Sequence, residues 1–278
     1  MASEIQSGAP DLEPVEPGEP GEPAEPVELQ RRHIATTAPP VLWSRPNAVA
    51  AGVCFVVAAI SAIVGLGLYQ PLLSDARHVV GSGTDLGAQL GVLAELVLVV
   101  TVIGTGVSAY PVLRRVNESL SLAYVCGRLL EAAVIATGMV TVLGAVALRS
   151  DAASLTGSGA DEGGVVAASG ALVAIHDATF LLGPGLVIGV NTFVLAWVVR
   201  KGSLAPRWIT AVGLVGGPMV LASSVAVLLG AYEQTSRYAG VAAIPVTVWE
   251  MSFAVWLIAK AGRDRGAVIA TPAVTAAP

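Results

Sequence analysis

The sequence predicts an all-α fold: an integral membrane bundle of six transmembrane helices, preceded by a disordered, acidic, Pro-rich N-terminal tail. Three observations predict this class. Only 13% of the 278 residues are charged, whereas a soluble domain carries about 25%. The mean hydropathy of the chain is +0.74. Six stretches are each apolar over the roughly 20 residues that a helix needs to cross the hydrocarbon core of a bilayer.

The predicted tail, residues 1–45, carries the whole net charge of the chain. It holds eight acids and three bases, a sum of −5, and the remaining 233 residues hold twelve of each. A Glu-Pro pair recurs every three residues from Glu13 to Pro26, and such a composition favours an extended, disordered chain. A solvated spacer is the favoured interpretation; the alternative is a segment that binds a basic or proline-recognising protein partner. Because no domain is strongly basic, nucleic acid is excluded as a partner.

The six apolar stretches follow one another with short polar connections. The predicted spans are residues 48–69, 88–112, 120–148, 169–199, 208–231 and 241–260, within a membrane domain over 46–262. A Gly/Ser/Asp-rich loop is predicted over 149–168, and residues 263–278 are predicted to form a short disordered C-terminal tail. The lipid bilayer is therefore the predicted surrounding of the body, and the sequence does not predict an oligomeric state.

The basic residues predict the orientation of these spans. Eleven Lys and Arg residues flank the spans on the side that includes the N-terminus, against Arg77, Arg149 and Arg237 on the other side. Because loops rich in Lys and Arg remain in the cytoplasm, both termini are predicted to be cytoplasmic. The even number of spans agrees with this arrangement.

Charged side chains inside a span are costly, about 2.5–3.5 kcal/mol each on insertion scales, and often functional. The candidate intramembrane polar network consists of Glu95, Arg128, Glu131, Asp177, Asn191 and Glu250. Arg128 and Glu131 are three residues apart, so they share a helical face and can pair. Glu95 and Glu250 have no partner nearby in the sequence. Arg128 could bridge to one of them across helices, and protonation would neutralise the other.

Prolines and glycines predict local features of the later spans. Pro184 in the fourth span and Pro218 in the fifth predict helix kinks, because proline lacks the amide donor of a regular helix. Glycines four residues apart permit close helix packing, and the fourth and fifth spans contain one such pair each, Gly185/Gly189 and Gly213/Gly217.

Motifs of the common enzyme classes are absent from the sequence. It contains no phosphate-binding loop, zinc-protease motif or serine-hydrolase elbow. The three His and two Cys residues have no metal-ligand spacing. No catalytic residue, metal or cofactor is therefore predicted.

Three segments carry a resemblance to a known family. They are Tyr110 to Ala132 with the R-L-L-E-A element at 128–132, the L-A-P-R-W stretch at 204–208 leading to Gly217, and Glu250 followed by W-L-I at 256–258. Together they resemble the bacterial multi-pass membrane family catalogued as domain of unknown function four-three-eight-six. The resemblance covers about residues 46–262. It implies a six-span protein of the bacterial inner membrane, and it implies no activity.

Three classes of function remain open. The favoured one is a non-enzymatic membrane protein with a structural or regulatory role and an intramembrane Arg–Glu pair. The first alternative is a small-solute or proton-coupled transporter that uses the mid-membrane carboxylates. The second alternative is an intramembrane enzyme, which the absence of catalytic motifs makes the least favoured.

Overall fold

The computed structural model describes residues 41–81, 84–155 and 162–261, and these ranges contain helices and no β-strand. Six helices are long and apolar enough to span a membrane: α1 (Arg45–Leu73), α2 (Leu86–Leu113), α3 (Glu118–Leu155), α4 (Glu162–Lys201), α5 (Arg207–Leu228) and α6 (Arg237–Ala259). A 3₁₀ helix (Ala76–Val80) lies between α1 and α2. The predicted six-helix membrane fold is confirmed. Residues 1–40 of the predicted N-terminal tail and all of the predicted C-terminal tail lie outside the described residues.

The third and fourth helices are longer than the predicted spans. α3 has 38 residues and α4 has 40, so at 1.5 Å per residue each is about 57–60 Å long. The predicted loop over 149–168 is therefore too long, since α3 continues to Leu155 and α4 begins at Glu162. The reason is physical: a helix satisfies its own backbone hydrogen bonds and can extend beyond the hydrocarbon core, whereas hydropathy detects only the apolar part.

The packed body begins before the predicted end of the tail at residue 45. Trp43 is buried, and its Nε1 donates a hydrogen bond to the carbonyl of Leu204 at 3.0 Å. Arg45 starts α1, and its Nη1 donates to the carbonyl of Ala261 at 3.1 Å. The indole and the guanidinium therefore attach the start of α1 to the α4–α5 connection and to the end of α6.

The helices form a ring in chain order. Each helix packs against the next, α6 packs back against α1, and both halves of α4 also contact α3. One end of the bundle, here named the basic end, includes Arg45, Lys201 and Arg207. The opposite end, named the Arg149 end, includes Arg149 and the 3₁₀ helix.

The outer surface of the ring is apolar. Ile63, Val100, Val140 and Val215 lie within four different spans and are 62–73% exposed. An apolar surface of this extent marks a face that contacts a membrane. The exposed residues thus agree with the helix lengths in identifying lipid as the surrounding medium.

Aromatic side chains fill the interior near the basic end. The rings of Trp249 and Phe253 on α6 are stacked with their centroids 4.8 Å apart. Trp43 and Phe55 meet the Phe253 ring edge-on at 6.1 and 6.0 Å. Offset and edge-on contacts are the geometries that aromatic pairs prefer, so this group holds α1 against α6 and closes the ring.

Two glycines bring the backbones of α4 and α5 into contact. A Cβ atom on Gly189 would lie 2.9 Å from the carbonyl oxygen of Gly217, and a Cβ on Gly217 would lie 2.7 Å from that of Gly189. Real Cβ atoms do not approach an oxygen this closely, so the crossing requires glycine on both sides. This is the close packing that the glycine spacing predicts.

The two prolines that are predicted to kink helices, Pro184 and Pro218, have different local settings. Pro184 lies inside a π-helical segment, Leu181–Val187, in the middle of α4. Such a segment often accommodates a disturbed hydrogen-bond ladder and is a recognised cause of kinks. Pro218 lies inside α5, which is α-helical from Arg207 to Leu228. The change of helix type is thus confined to the first of the two prolines.

Candidate functional site

Arg128 on α3 occupies the centre of the bundle and reaches two carboxylates. It is 3% exposed. Its Nη1 lies 3.1 Å from Oε2 of Glu131 on the same helix, and its Nη2 lies 3.3 Å from Oε1 of Glu250 on α6. The i, i+3 spacing sets the first pair, and the ring of helices brings α6 to the second. One guanidinium therefore joins two helices through charge-assisted hydrogen bonds.

The rest of the guanidinium is also partnered. Its Nε donates to the hydroxyl of Tyr124 at 3.1 Å, and that hydroxyl donates to Oγ1 of Thr105 on α2 at 3.3 Å. The rings of Tyr124 and of Phe55 on α1 each lie 5.4 Å from the guanidinium carbon. These distances are within the range of cation–π attraction.

The fourth helix contributes an amide. Nδ2 of Asn191 donates to Oε2 of Glu131 at 3.0 Å. The approach depends on Gly127, because a Cβ atom at that position would overlap the side-chain oxygen of Asn191. We name the whole group the Arg128 cluster: Thr105, Tyr124, Arg128, Glu131, Asn191 and Glu250.

The Arg128 cluster is a packed contact. The side chains of Arg128 and Glu131 are each 4% exposed, and that of Glu250 is 17% exposed. A buried ion pair persists only where hydrogen bonds satisfy its remaining polar atoms, and Tyr124 and Asn191 supply them here. With both carboxylates ionised, the cluster has one negative charge in excess, so one proton would balance it.

The structure brings together four of the six predicted network residues. Glu95 lies elsewhere, on α2, where it accepts a hydrogen bond from the hydroxyl of Tyr69 at 3.1 Å. Asp177 lies on α4 with its side chain 63% exposed, 3.6 Å from Nδ1 of His176. Asp177 and Asn191 are fourteen residues apart on α4, and only Asn191 enters the bundle, because the π-helical segment between them changes the rotation per residue.

A second buried arginine was missed by sequence reasoning. Arg149 is buried near the end of α3 and lies 2.7 Å from Oδ1 of Asp85. Its guanidinium also lies 3.1 Å from Nε2 of His78 and 3.1 Å from the carbonyl of Gly81. The available signal was that Arg149 and Asp85 occupy the same end of an antiparallel bundle. This arginine attaches the α1–α2 connection to α3.

A metal-binding group is not found among the described residues, where no set of three His, Cys, Asp or Glu side chains could hold an ion. The buried charges described above instead pair with one another or with backbone and hydroxyl groups. The functional groups at the buried sites of the described residues are therefore mainly carboxylates, guanidinium groups and hydroxyls.

Comparison with known proteins identifies the family. A search of curated proteins found no match, and a search of solved structures found none. A family model described as "Domain of unknown function (DUF4386)" matches residues 50–261. The matched region runs from α1 to the end of α6 and contains the whole Arg128 cluster, as the resemblance of the R-L-L-E-A element implies. The chain therefore belongs to the DUF4386 family of membrane proteins.

Proposed function

We propose that this is a non-enzymatic membrane protein in which the Arg128 cluster has a structural role, fixing α2, α3, α4 and α6 relative to one another. One observation carries the proposal: the buried guanidinium of Arg128 has both terminal nitrogens on carboxylates from two different helices. In a buried site, removal of one partner leaves the others charged and unpaired, which costs about 3–5 kcal/mol. The cluster thus penalises any arrangement in which α6 leaves α3.

The test is the substitution Arg128→Met, which keeps an unbranched apolar stem and removes the charged guanidinium. We expect it to lower the free energy of unfolding by about 3 kcal/mol or more, because Glu131 and Glu250 then lack their cation. The measurement is reversible unfolding in detergent, together with the yield of folded protein. The matched control is Arg77→Met, since Arg77 forms an exposed ion pair with Glu162 at 3.1 Å, and exposed pairs contribute about 0–1 kcal/mol.

A triple variant distinguishes charge from packing. Arg128→Met combined with Glu131→Gln and Glu250→Gln contains no charge in the cluster, so it should recover much of the lost stability. Unchanged stability in Arg128→Met alone would contradict the structural role.

The excess negative charge of the cluster supports a second candidate, proton-coupled transport of a small solute. Glu250 is its more accessible carboxylate, at 17% exposure of the side chain against 4% for Glu131. Vesicles containing wild-type protein and a trapped pH-sensitive dye would test this. The structural proposal predicts no proton flux above that of empty vesicles. Flux that disappears in Glu250→Gln, while the unfolding temperature stays normal, would favour transport.

The proposal includes a location in the bacterial plasma membrane with both termini in the cytoplasm. Its support is the distribution of bases in the described part of the chain: seven Lys and Arg residues at the basic end and three at the other. Such an excess marks the cytoplasmic side. A protein partner for the acidic, Pro-rich tail stays a prediction, because residues 1–40 lie outside the described residues.

A further inference from the structure

A cavity of about 260 Å³ lies between α1, α2, α3 and α4, separate from the Arg128 cluster. Its α3 wall includes Gly138, seven residues beyond Glu131, which places it about 10 Å farther along the helix axis toward the Arg149 end. The cavity is lined by Ala62, Ile63, Leu66, Glu95, Leu98, Ile135, Gly138, His176, Thr179, Phe180 and Pro184.

The walls of this cavity are apolar, apart from a carboxylate and two weaker polar groups. Glu95 is the only acid among the described lining residues, and that lining contains no Lys or Arg. The Tyr69 hydroxyl donates a hydrogen bond to Oε2 of Glu95. The other carboxylate oxygen, Oε1, accepts no such hydrogen bond from a side chain. An apolar cavity with one carboxylate complements a ligand that is apolar with one positive charge.

The remaining titratable side chain of the lining is His176, and its environment is compatible with a positively charged ligand in the cavity. It is buried, and its ring meets that of Tyr69 edge-on at 5.7 Å. Its Nδ1 makes no hydrogen bond, and the carboxylate of Asp177, whose side chain is 63% exposed, lies 3.6 Å away. A buried charge without a hydrogen-bonded partner is costly, so a neutral imidazole is the form that fits this position.

The cavity reaches the lipid-facing surface of the bundle. Three of its lining residues, Ile63, Leu66 and Phe180, lie within spans and are themselves 37–73% exposed. A ligand dissolved in the bilayer therefore has a route to Glu95 between α1 and α4. A ligand confined to water would have to leave its hydration shell and cross this apolar mouth.

We propose that this cavity binds a small lipophilic ammonium ion that enters from the bilayer, with its charge against Glu95. The size is suitable: a cavity of about 150 Å³ accommodates benzene, so about 260 Å³ accommodates one ring and a small ammonium head. The proposal is independent of the structural role of the Arg128 cluster, since the two sites share no residue.

Two probes of the same shape test the role of charge. Benzyltrimethylammonium carries a permanent positive charge, and neopentylbenzene replaces its nitrogen with carbon and is neutral. Binding of each is measured by equilibrium dialysis against the full chain in lipid nanodiscs, after subtraction of binding to empty nanodiscs. We expect the wild-type protein to bind the cation at least tenfold more tightly than the neutral probe.

Two variants locate the binding. Glu95→Gln keeps the shape of the cavity and should reduce the preference for the cation to less than threefold. Ala62→Phe fills the cavity with Glu95 in place and should weaken binding of both probes. The unfolding temperature of each variant is measured in parallel, so that a folding defect is distinguished from a lost site.

Three outcomes would overturn the proposal. Equal binding of the two probes would show an apolar occupant such as a lipid chain. A cation preference that survives Glu95→Gln would assign the charge recognition to another residue. Binding that is insensitive to Ala62→Phe, in protein with a normal unfolding temperature, would place the ligand outside this cavity.

Discussion

At the scale of single residues, Gly127 determines whether α4 can join the Arg128 cluster. A Cβ atom at this position would overlap the side-chain oxygen of Asn191, whose amide nitrogen donates to Glu131. Gly127→Ala should therefore displace Asn191 and lower the free energy of unfolding by about 1–3 kcal/mol, the usual cost of overpacking a core. Thermal or denaturant unfolding in detergent measures the change.

The control for this prediction is Gly240→Ala on α6. Gly240 is exposed, and a Cβ there would have no atom within 4 Å. Alanine is a better helix former than glycine by roughly 0.5–1 kcal/mol, so this variant should be as stable as the wild type or more so. If both alanine variants unfold alike, Asn191 does not depend on the space at Gly127.

Also at this scale, the sequence was sufficient to predict some side-chain contacts and insufficient to predict others. The Arg128–Glu131 pair follows from i, i+3 spacing, because that spacing is set within one helix. Whether Arg128 would meet Glu95 or Glu250 depends on how each helix is rotated about its axis, which hydropathy does not specify. Glu250 proves to be the partner, and Glu95 pairs with Tyr69. Arg149 was missed for the same reason.

At the scale of helices, the apolar stretches identified all six elements and most of their ends to within a few residues. The errors are concentrated at the Arg149 end, where α3 and α4 extend into Gly, Ser and Asp residues. These residues are poor helix formers, yet an established helix propagates at less cost than a new one nucleates. Composition alone therefore predicted a loop at positions where α3 and α4 continue.

The crossing of α4 and α5 gives an element-scale prediction. A Cβ on Gly189 would lie 2.9 Å from the Gly217 carbonyl and 2.8 Å from Cβ of Leu221. Because a backbone carbonyl cannot move without its helix, Gly189→Ala should separate α4 from α5 and lower the free energy of unfolding by about 1–3 kcal/mol. The measurement is unfolding in detergent.

Gly67→Ala is the matched control on another span, since Gly67 is an exposed helical position where a Cβ would have open space. It should unfold at or above the wild-type temperature. A Gly189→Ala variant with wild-type stability would mean that the two helices can separate slightly at no cost.

At the scale of the whole molecule, the net charge of −5 misdescribes the body of the protein. The charge belongs to residues 1–45, and the remaining 233 residues are neutral in sum. Within the described part of the chain, bases are concentrated at the basic end, and the middle of the bundle contains mutually paired charges. This asymmetry is what a membrane potential and the insertion machinery act on, so it should determine the orientation of the protein.

Orientation can be measured by cysteine labelling in intact bacterial cells. Single cysteines are placed at Ser74, an exposed position at the Arg149 end, and at Ser203, an exposed position at the basic end. The background replaces Cys54 and Cys126 with alanine. A membrane-impermeant maleimide should label Ser74→Cys from outside and should label Ser203→Cys only after the membrane is opened. Glu162→Cys, also exposed at the Arg149 end, should behave as Ser74→Cys does.

Labelling of both ends from the same side would contradict the six-span topology, and a reversed pattern would contradict the cytoplasmic position of the termini.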